Sequence, residues 1–263
     1  MRFSKVSLAT GPRLHFAEQG DPAGGPIVFL HGWPDSWFSF SSVAALLPTK
    51  YRAFLLDQRG FGDSDRPDAG YDIHDFAEDV VAFLDAVSID HATVVGHSFG
   101  SFVARRVAIA HPDRVDRLVL IGTGWLGSNP VVREVYASLA DLADPVPEEF
   151  AREFQAGTAY APLPESFFKR IVTESLKLPA RLWREVLGGV IAYDDVNHVA
   201  GIKAPTYLMW GDRDALFPRE DQDRLVTAIP RIERRIYEDI GHCPNWECPE
   251  TVADDLLSFL ARR

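Results

Sequence analysis

The residue types best able to do chemistry together in this chain surround Ser98. Thr93-Val94-Val95 runs into Gly96-His97-Ser98-Phe99-Gly100, and the stretch from Ser101 to Ala110 has helical composition. Ser98 is thereby placed on a strand-to-helix turn, the nucleophile-elbow pattern. Such a turn strains its central residue and brings strand and helix so close that only glycine fits on either side, here Gly96 and Gly100. It lifts the Ser98 hydroxyl clear of a sheet and sets it near the first backbone N–H groups of the helix, where charge developing on a carbonyl oxygen is stabilised.

A serine hydroxyl is un-ionised at neutral pH and needs a general base, for which histidine is suited. In a parallel α/β sheet the site forms at the carboxyl ends of the strands, so base and acid are expected on loops that directly follow strands. Gly211-Asp212-Arg213-Asp214 follows a strand pattern ending at Trp210, whereas Gly122-Thr123-Gly124, after the Val115 to Ile121 strand, has no carboxylate. His242, in Ile240-Gly241-His242-Cys243-Pro244, follows the Ile232 to Tyr237 strand and is the only histidine beyond Asp214. His15, His31, His74, His91, His97, His111 and His198 are expected to be structural or exposed.

The elements that must position these groups alternate along 263 residues, enough for one large core with an inserted lid. Phe3 to Leu8 and Arg13 to Gln19 read as a hairpin about Thr10-Gly11-Pro12. Further strands are expected at Ile27 to Leu30, Tyr51 to Leu56, Ala92 to Val95, Val115 to Ile121, Pro205 to Trp210 and Ile232 to Tyr237. Helices are expected at Ser36 to Leu47, His74 to Val87, Arg219 to Ala228 and Thr251 to Ala261. This rhythm implies a mostly parallel sheet with helices on both faces. Between about Leu126 and Ala200 it breaks: prolines recur, strand-like runs vanish and amphipathic helical patterns follow one another, as in an all-helical insertion. Residues 1–125 and 201–263 would form the core, and 126–200 a cap. In the charged loop after Leu56, Asp57 and Arg59 are expected to form a structural ion pair.

Composition excludes several partner classes. A net charge of −11 argues against nucleic acid and anionic membrane surfaces, and 46% hydrophobic residues is ordinary for a globular protein. No apolar run approaches the ~18 to 20 residues of a membrane helix, and Met1-Arg2-Phe3-Ser4-Lys5 does not resemble a signal peptide, so a cytoplasmic protein is expected. Cys243 and Cys248 beside one histidine are too few ligands for zinc.

The order Ser98, acid, His242 resembles that of the α/β-hydrolase fold superfamily over nearly the whole chain. The resemblance implies a mostly parallel eight-stranded sheet with a helical lid and no metal or organic cofactor. The family's acid usually ends a Gly-x-x-Asp motif, which corresponds to Asp214, with Asp212 a loop-forming neighbour. His31-Gly32-Trp33-Pro34 resembles the family's oxyanion loop. The donors would be the Trp33 and Phe99 backbone N–H groups, since Pro34 has none, each contributing about 3 to 4 kcal/mol to the transition state.

His31 to Trp37 and Asp57 to Asp65 look much like loops of epoxide hydrolases, which use an aspartate nucleophile, as haloalkane dehalogenases do. A carboxylate attacking carbon leaves an ester that water can cleave, whereas Ser98 would leave an inert ether. Epoxides and halides are therefore disfavoured. The expected electrophile is a carbonyl, in a small, mostly apolar ester or lactone cleaved through an acyl-enzyme. Alternatives with the same triad are a C–C bond hydrolase and a cofactor-free haloperoxidase or perhydrolase. Of another class is a slow-turnover ligand sensor. Within the insertion, Tyr136, Phe154, Tyr160, Phe167, Phe168, Trp183 and Tyr193, with Trp125 at its base, are candidates to line the pocket.

Overall fold

Two-residue periodicity in the strands sorts the core into two layers. In the computed structural model, which describes residues 1–262, the chain opens with a hairpin of β1 (Arg2–Ser7) and β2 (Arg13–Gln19). β3 (Gly25–Leu30), a 3-10 turn (Trp37–Phe40), α1 (Ser41–Ala45), β4 (Tyr51–Leu56), α2 (Ile73–Ala86), β5 (Ala92–His97), α3 (Phe99–Ala110) and β6 (Val115–Ile121) follow. Four helices come next: α4 (Pro130–Ser138), α5 (Glu148–Thr158), α6 (Glu165–Ser175) and α7 (Ala180–Ala192). The chain then returns to the sheet with β7 (Thr206–Gly211), α8 (Arg219–Ala228), β8 (Ile232–Tyr237), α9 (Pro244–Glu247) and α10 (Pro249–Leu260).

The strands form one eight-stranded sheet in the order β1-β2-β4-β3-β5-β6-β7-β8. β2 is antiparallel to β1 and β4, and the strands from β4 to β8 run parallel to their neighbours. One face, through Val28, Leu30, Val94 and Leu120, packs on Phe76, Val80 and Phe83 of α2 and Phe102, Val103 and Val107 of α3. The residues between them, Ile27, Phe29, Val95 and Ile121, join Val43 of α1 and Val252, Leu256 and Phe259 of α10 on the other face. Each fully buried Leu, Val or Phe side chain stabilises the fold by roughly 1.5–3 kcal/mol, which makes the sheet a stiff platform for the loops at its carboxyl ends. Among the described residues, no helix is long and apolar enough to cross a membrane.

Two expectations are corrected. The helix expected from Ser36 to Leu47 is a 3-10 turn followed by the five-residue α1. Ser36 caps the turn by accepting from Phe38 N–H, and a run of aromatic and serine residues has little helical propensity of its own. Asp57 and Arg59 do not pair with each other. Asp57 accepts from His15 Nδ1 at 2.7 Å and from the backbone N–H groups of Trp37 and Asp63. Arg59 instead grips buried Asp79 of α2 through two bonds of 2.6 Å.

Candidate active site

Ser98 joins β5 to α3 with φ 51° and ψ −120°, a left-handed conformation that costs a non-glycine residue on the order of 1–3 kcal/mol. The neighbouring glycines explain how it is held. A Cβ on Gly96 would lie 2.2 Å from Gly100 O, and one on Gly100 would lie 2.2 Å from Leu30 O. β5, α3 and β3 therefore meet backbone to backbone. Ser98 N–H donates to Ile121 O at 2.9 Å, which ties the turn to β6.

Asp214 and His242 come together from the loops after β7 and β8, with His242 Nδ1 2.9 Å from Asp214 Oδ2. Asp214 Oδ1 accepts from the N–H groups of Leu216 and Phe217, which fixes the carboxylate. Asp212 is turned elsewhere and accepts from Asp239 N–H. The main chain of His242 is held at both ends: its N–H donates to Thr158 O at 2.9 Å, and its carbonyl lies 3.1 Å from His97 Nε2. That bond assigns the Nε2–H tautomer to His97, and burial, with the neighbouring His242, pushes the His97 pKa well below the usual imidazole value. His242 Nε2 has no protein partner among the described residues. No hydrogen bond joins it to Ser98 Oγ among those residues, but both side chains line one cavity. Bonds of this kind commonly tighten only when substrate is in place.

The cavity contains about 540 Å³ of space not filled by protein atoms, part of it open to solvent. Trp33 and Phe99 line it beside Ser98, and among the described residues neither backbone N–H donates to a protein acceptor. The insertion contributes Val132 and Val135 of α4, Phe154 of α5, and Leu187 and Val190 of α7. Of the eight aromatic residues expected to line the pocket, Phe154 does, while Trp125, Tyr136, Tyr160, Phe167, Phe168, Trp183 and Tyr193 do not. Trp183 is buried behind the wall, edge-on to Trp33 at 5.1 Å, with its indole N–H on Leu178 O. Tyr193 packs beside His74. Tyr136 and Tyr160 are 41% and 58% exposed, and half-buried Trp125 offers its carbonyl to Arg105. Apart from Phe154, the apolar lining from the insertion is aliphatic, and the i, i+3 spacing of Val132/Val135 and Leu187/Val190 was the signal available for it.

Several residues at the site were not anticipated. Asp35 lines the cavity, and burial pushes its carboxyl up to about 7. Glu247 of α9 accepts from Gly241 N–H on the His242 loop and from Tyr160 and Ala161 N–H in the insertion. Arg105 of α3 pairs with Asp195 just past α7, both buried, and donates to Gly124 O. Cys243 also lines the cavity, and burial raises its thiol pKa well above the ordinary value. Among the described residues, His15, Asp57 and Asp63 bring ligand atoms within 4.8 Å of one another. Asp57 already accepts three bonds and Asp63 pairs with Lys177, so this cluster is a structural knot.

Comparison with known proteins agrees with this fold. A non-heme chloroperoxidase of Streptomyces lividans is 28% identical over 281 aligned positions, covering 97% of this chain and 98% of that protein. Epoxide hydrolase 2 of Siraitia grosvenorii is 36% identical over 137 positions, 51% of this chain and 43% of its own. Among solved structures, an esterase from Exiguobacterium antarcticum superposes with a TM-score of 0.90 at 21% identity, over 99% of this chain and 100% of that one, a likeness of fold. Residues 25–249 match the family model of the alpha/beta hydrolase fold. With the strained serine turn, the strand order and the loop-borne acid and histidine, that match makes the chain a member of the alpha/beta hydrolase fold family.

Proposed function

We propose that the protein is a serine hydrolase that cleaves a carboxylic ester or lactone of a small, mostly apolar substrate, with Ser98 as nucleophile, His242 as base and Asp214 as acid. The observation that carries this reading is the buried His242–Asp214 pair, which leaves Nε2 without a partner among the described residues, in the wall of the cavity that Ser98 lines. His242 Nε2 takes the Ser98 Oγ proton as Oγ attacks the carbonyl carbon, and the oxyanion is received by the N–H groups of Trp33 and Phe99. The imidazolium then protonates the leaving alcohol. Water, deprotonated by the same nitrogen, releases the acid and restores Ser98. Asp214 keeps the proton on Nδ1 and stabilises the charged imidazole.

The insertion, residues 126–200, acts as a lid whose aliphatic side chains set the substrate range, over a core of 1–125 and 201–263. The unpaired thiols of Cys243 and Cys248 support a cytoplasmic location. Hydrolysis of p-nitrophenyl butyrate, alongside a graded panel of esters, lactones and thioesters, tests the reading. Ser98→Ala should lower kcat by roughly 10⁴-fold or more, and a variant keeping a tenth of the rate would end the serine mechanism.

A further inference from the structure

Asp35 has no task in the chemistry above, yet it sits 2% exposed in the cavity wall. A Cβ on Gly32 would lie 3.2 Å from Ser98 Cβ and 3.3 Å from Asp35 Oδ2, so the carboxyl and the nucleophile flank the same glycine. Among the described residues its donors are two: Gln155 Nε2 at 2.8 Å on Oδ1 and Ser39 Oγ at 3.3 Å on Oδ2. A carboxylate has about four acceptor sites, so two are left open towards the cavity, and burial raises the pKa of the carboxyl.

Gln155 is held for this contact. Its amide nitrogen also donates to Ser175 Oγ at 2.8 Å, so α5 and α6 fix its direction. Ser39 is fixed in turn by the Trp246 indole N–H at 2.9 Å. The cavity thus has a polar wall around Asp35 and Gln155. Its apolar side includes Phe102 and Phe217, whose rings lie 5.9 Å apart. A purely alkyl ligand would leave the polar wall short of partners, at a cost to binding.

We infer that Asp35, oriented by Gln155, forms a polar subsite beside Ser98 that accepts a hydrogen bond from a hydroxyl group of the substrate, so that hydroxylated esters are taken in preference to alkyl ones. The inference rests on the ester-hydrolase reading for its substrate, and the experiment separates the two. Shape-matched pairs are compared by kcat/KM: p-nitrophenyl 3-hydroxybutanoate against 3-methylbutanoate for the acyl side, and 2-hydroxyethyl against propyl butanoate for the alcohol side. The wild-type protein should favour the hydroxylated member of at least one pair by roughly tenfold or more. Asp35→Leu should bring that ratio to about one or below. The nearly isosteric Asp35→Asn, which guards against a failure of the leucine variant to fold, should lower it several-fold. A wild-type ratio at or below one in both pairs, or a ratio unchanged in the variants, overturns the subsite while leaving ester hydrolysis standing. Should no ester be turned over, the hydrolase reading fails, and binding to Ser98→Ala decides the subsite alone. By calorimetry, 4-hydroxy-2-butanone should bind roughly tenfold tighter than 2-pentanone, an advantage lost with Asp35→Asn added, and equal binding of the two ketones overturns it.

Discussion

Asp212 and Asp214 are two positions apart on one loop, but their surroundings give them different tasks. Asp214 is fully buried at the side chain, is aimed by two backbone donors and faces His242. Asp212 is partly exposed and caps the turn at Asp239. An asparagine at position 214 keeps the shape but presents the wrong group to the Nδ1 proton, so Asp214→Asn should cut kcat/KM on a p-nitrophenyl ester by about 10⁴-fold. Asp212→Asn should change it by only a few-fold. The opposite ranking in steady-state assays would move the acid by two residues. The sequence alone could point to the loop, because a carboxylate must follow a strand. Choosing between the two aspartates depended on the likeness to a family, since spacing carries no information on which side chain turns inward.

Glu247 shows how one short element sets the geometry of its neighbours. Its carboxylate gathers N–H groups from Gly241, Tyr160 and Ala161, and so fastens the His242 loop to the segment between α5 and α6. Glu247→Gln turns an amide nitrogen towards donors that need acceptors. It should lower stability by about 2–3 kcal/mol in urea unfolding. It should also reduce kcat roughly tenfold with KM little changed, because the base is displaced while the cavity remains. An unaltered kcat would make Glu247 a fold contact alone. This clamp could not be read from the sequence, because two of its donors, the Tyr160 and Ala161 N–H groups, are backbone groups 87 and 86 residues away. The β5–Ser98–α3 turn was legible for the opposite reason: Gly96 records a steric demand that acts within five residues, against the backbone of Gly100. The insertion was legible as helices, but which faces met the cavity depended on helix rotation, so large aromatics such as Tyr160 and Trp183 were misplaced and small aliphatics such as Val132 were overlooked.

Across the whole molecule, buried ionisable groups pull stability in opposite directions with pH. Burial holds His31 down to about 4 and pushes His97 well below the ordinary imidazole value. As pH falls below the ordinary imidazole value, the unfolded chain takes up protons that these sites refuse, and stability is lost. Asp35 acts with the other sign. Between about 4 and about 7 the folded protein keeps a carboxyl proton that the unfolded chain has released, so its contribution is complete at acid pH and is lost as pH rises through 7. The gap between those values is worth on the order of 4 kcal/mol. The stability of wild type minus that of Asp35→Asn should therefore decline from pH 4 to pH 7 and level off beyond, as measured by urea midpoints; a difference indifferent to pH would show that Asp35 does not titrate. The bond from His242 N–H to Thr158 O has a consequence for descent and for engineering. On the proposed mechanism, the imidazole borrows part of its scaffold from the insertion, so a chimera carrying a foreign insertion keeps its host's base in place only if the graft supplies a carbonyl at that spot. Diversification of the insertion is then constrained around residue 158.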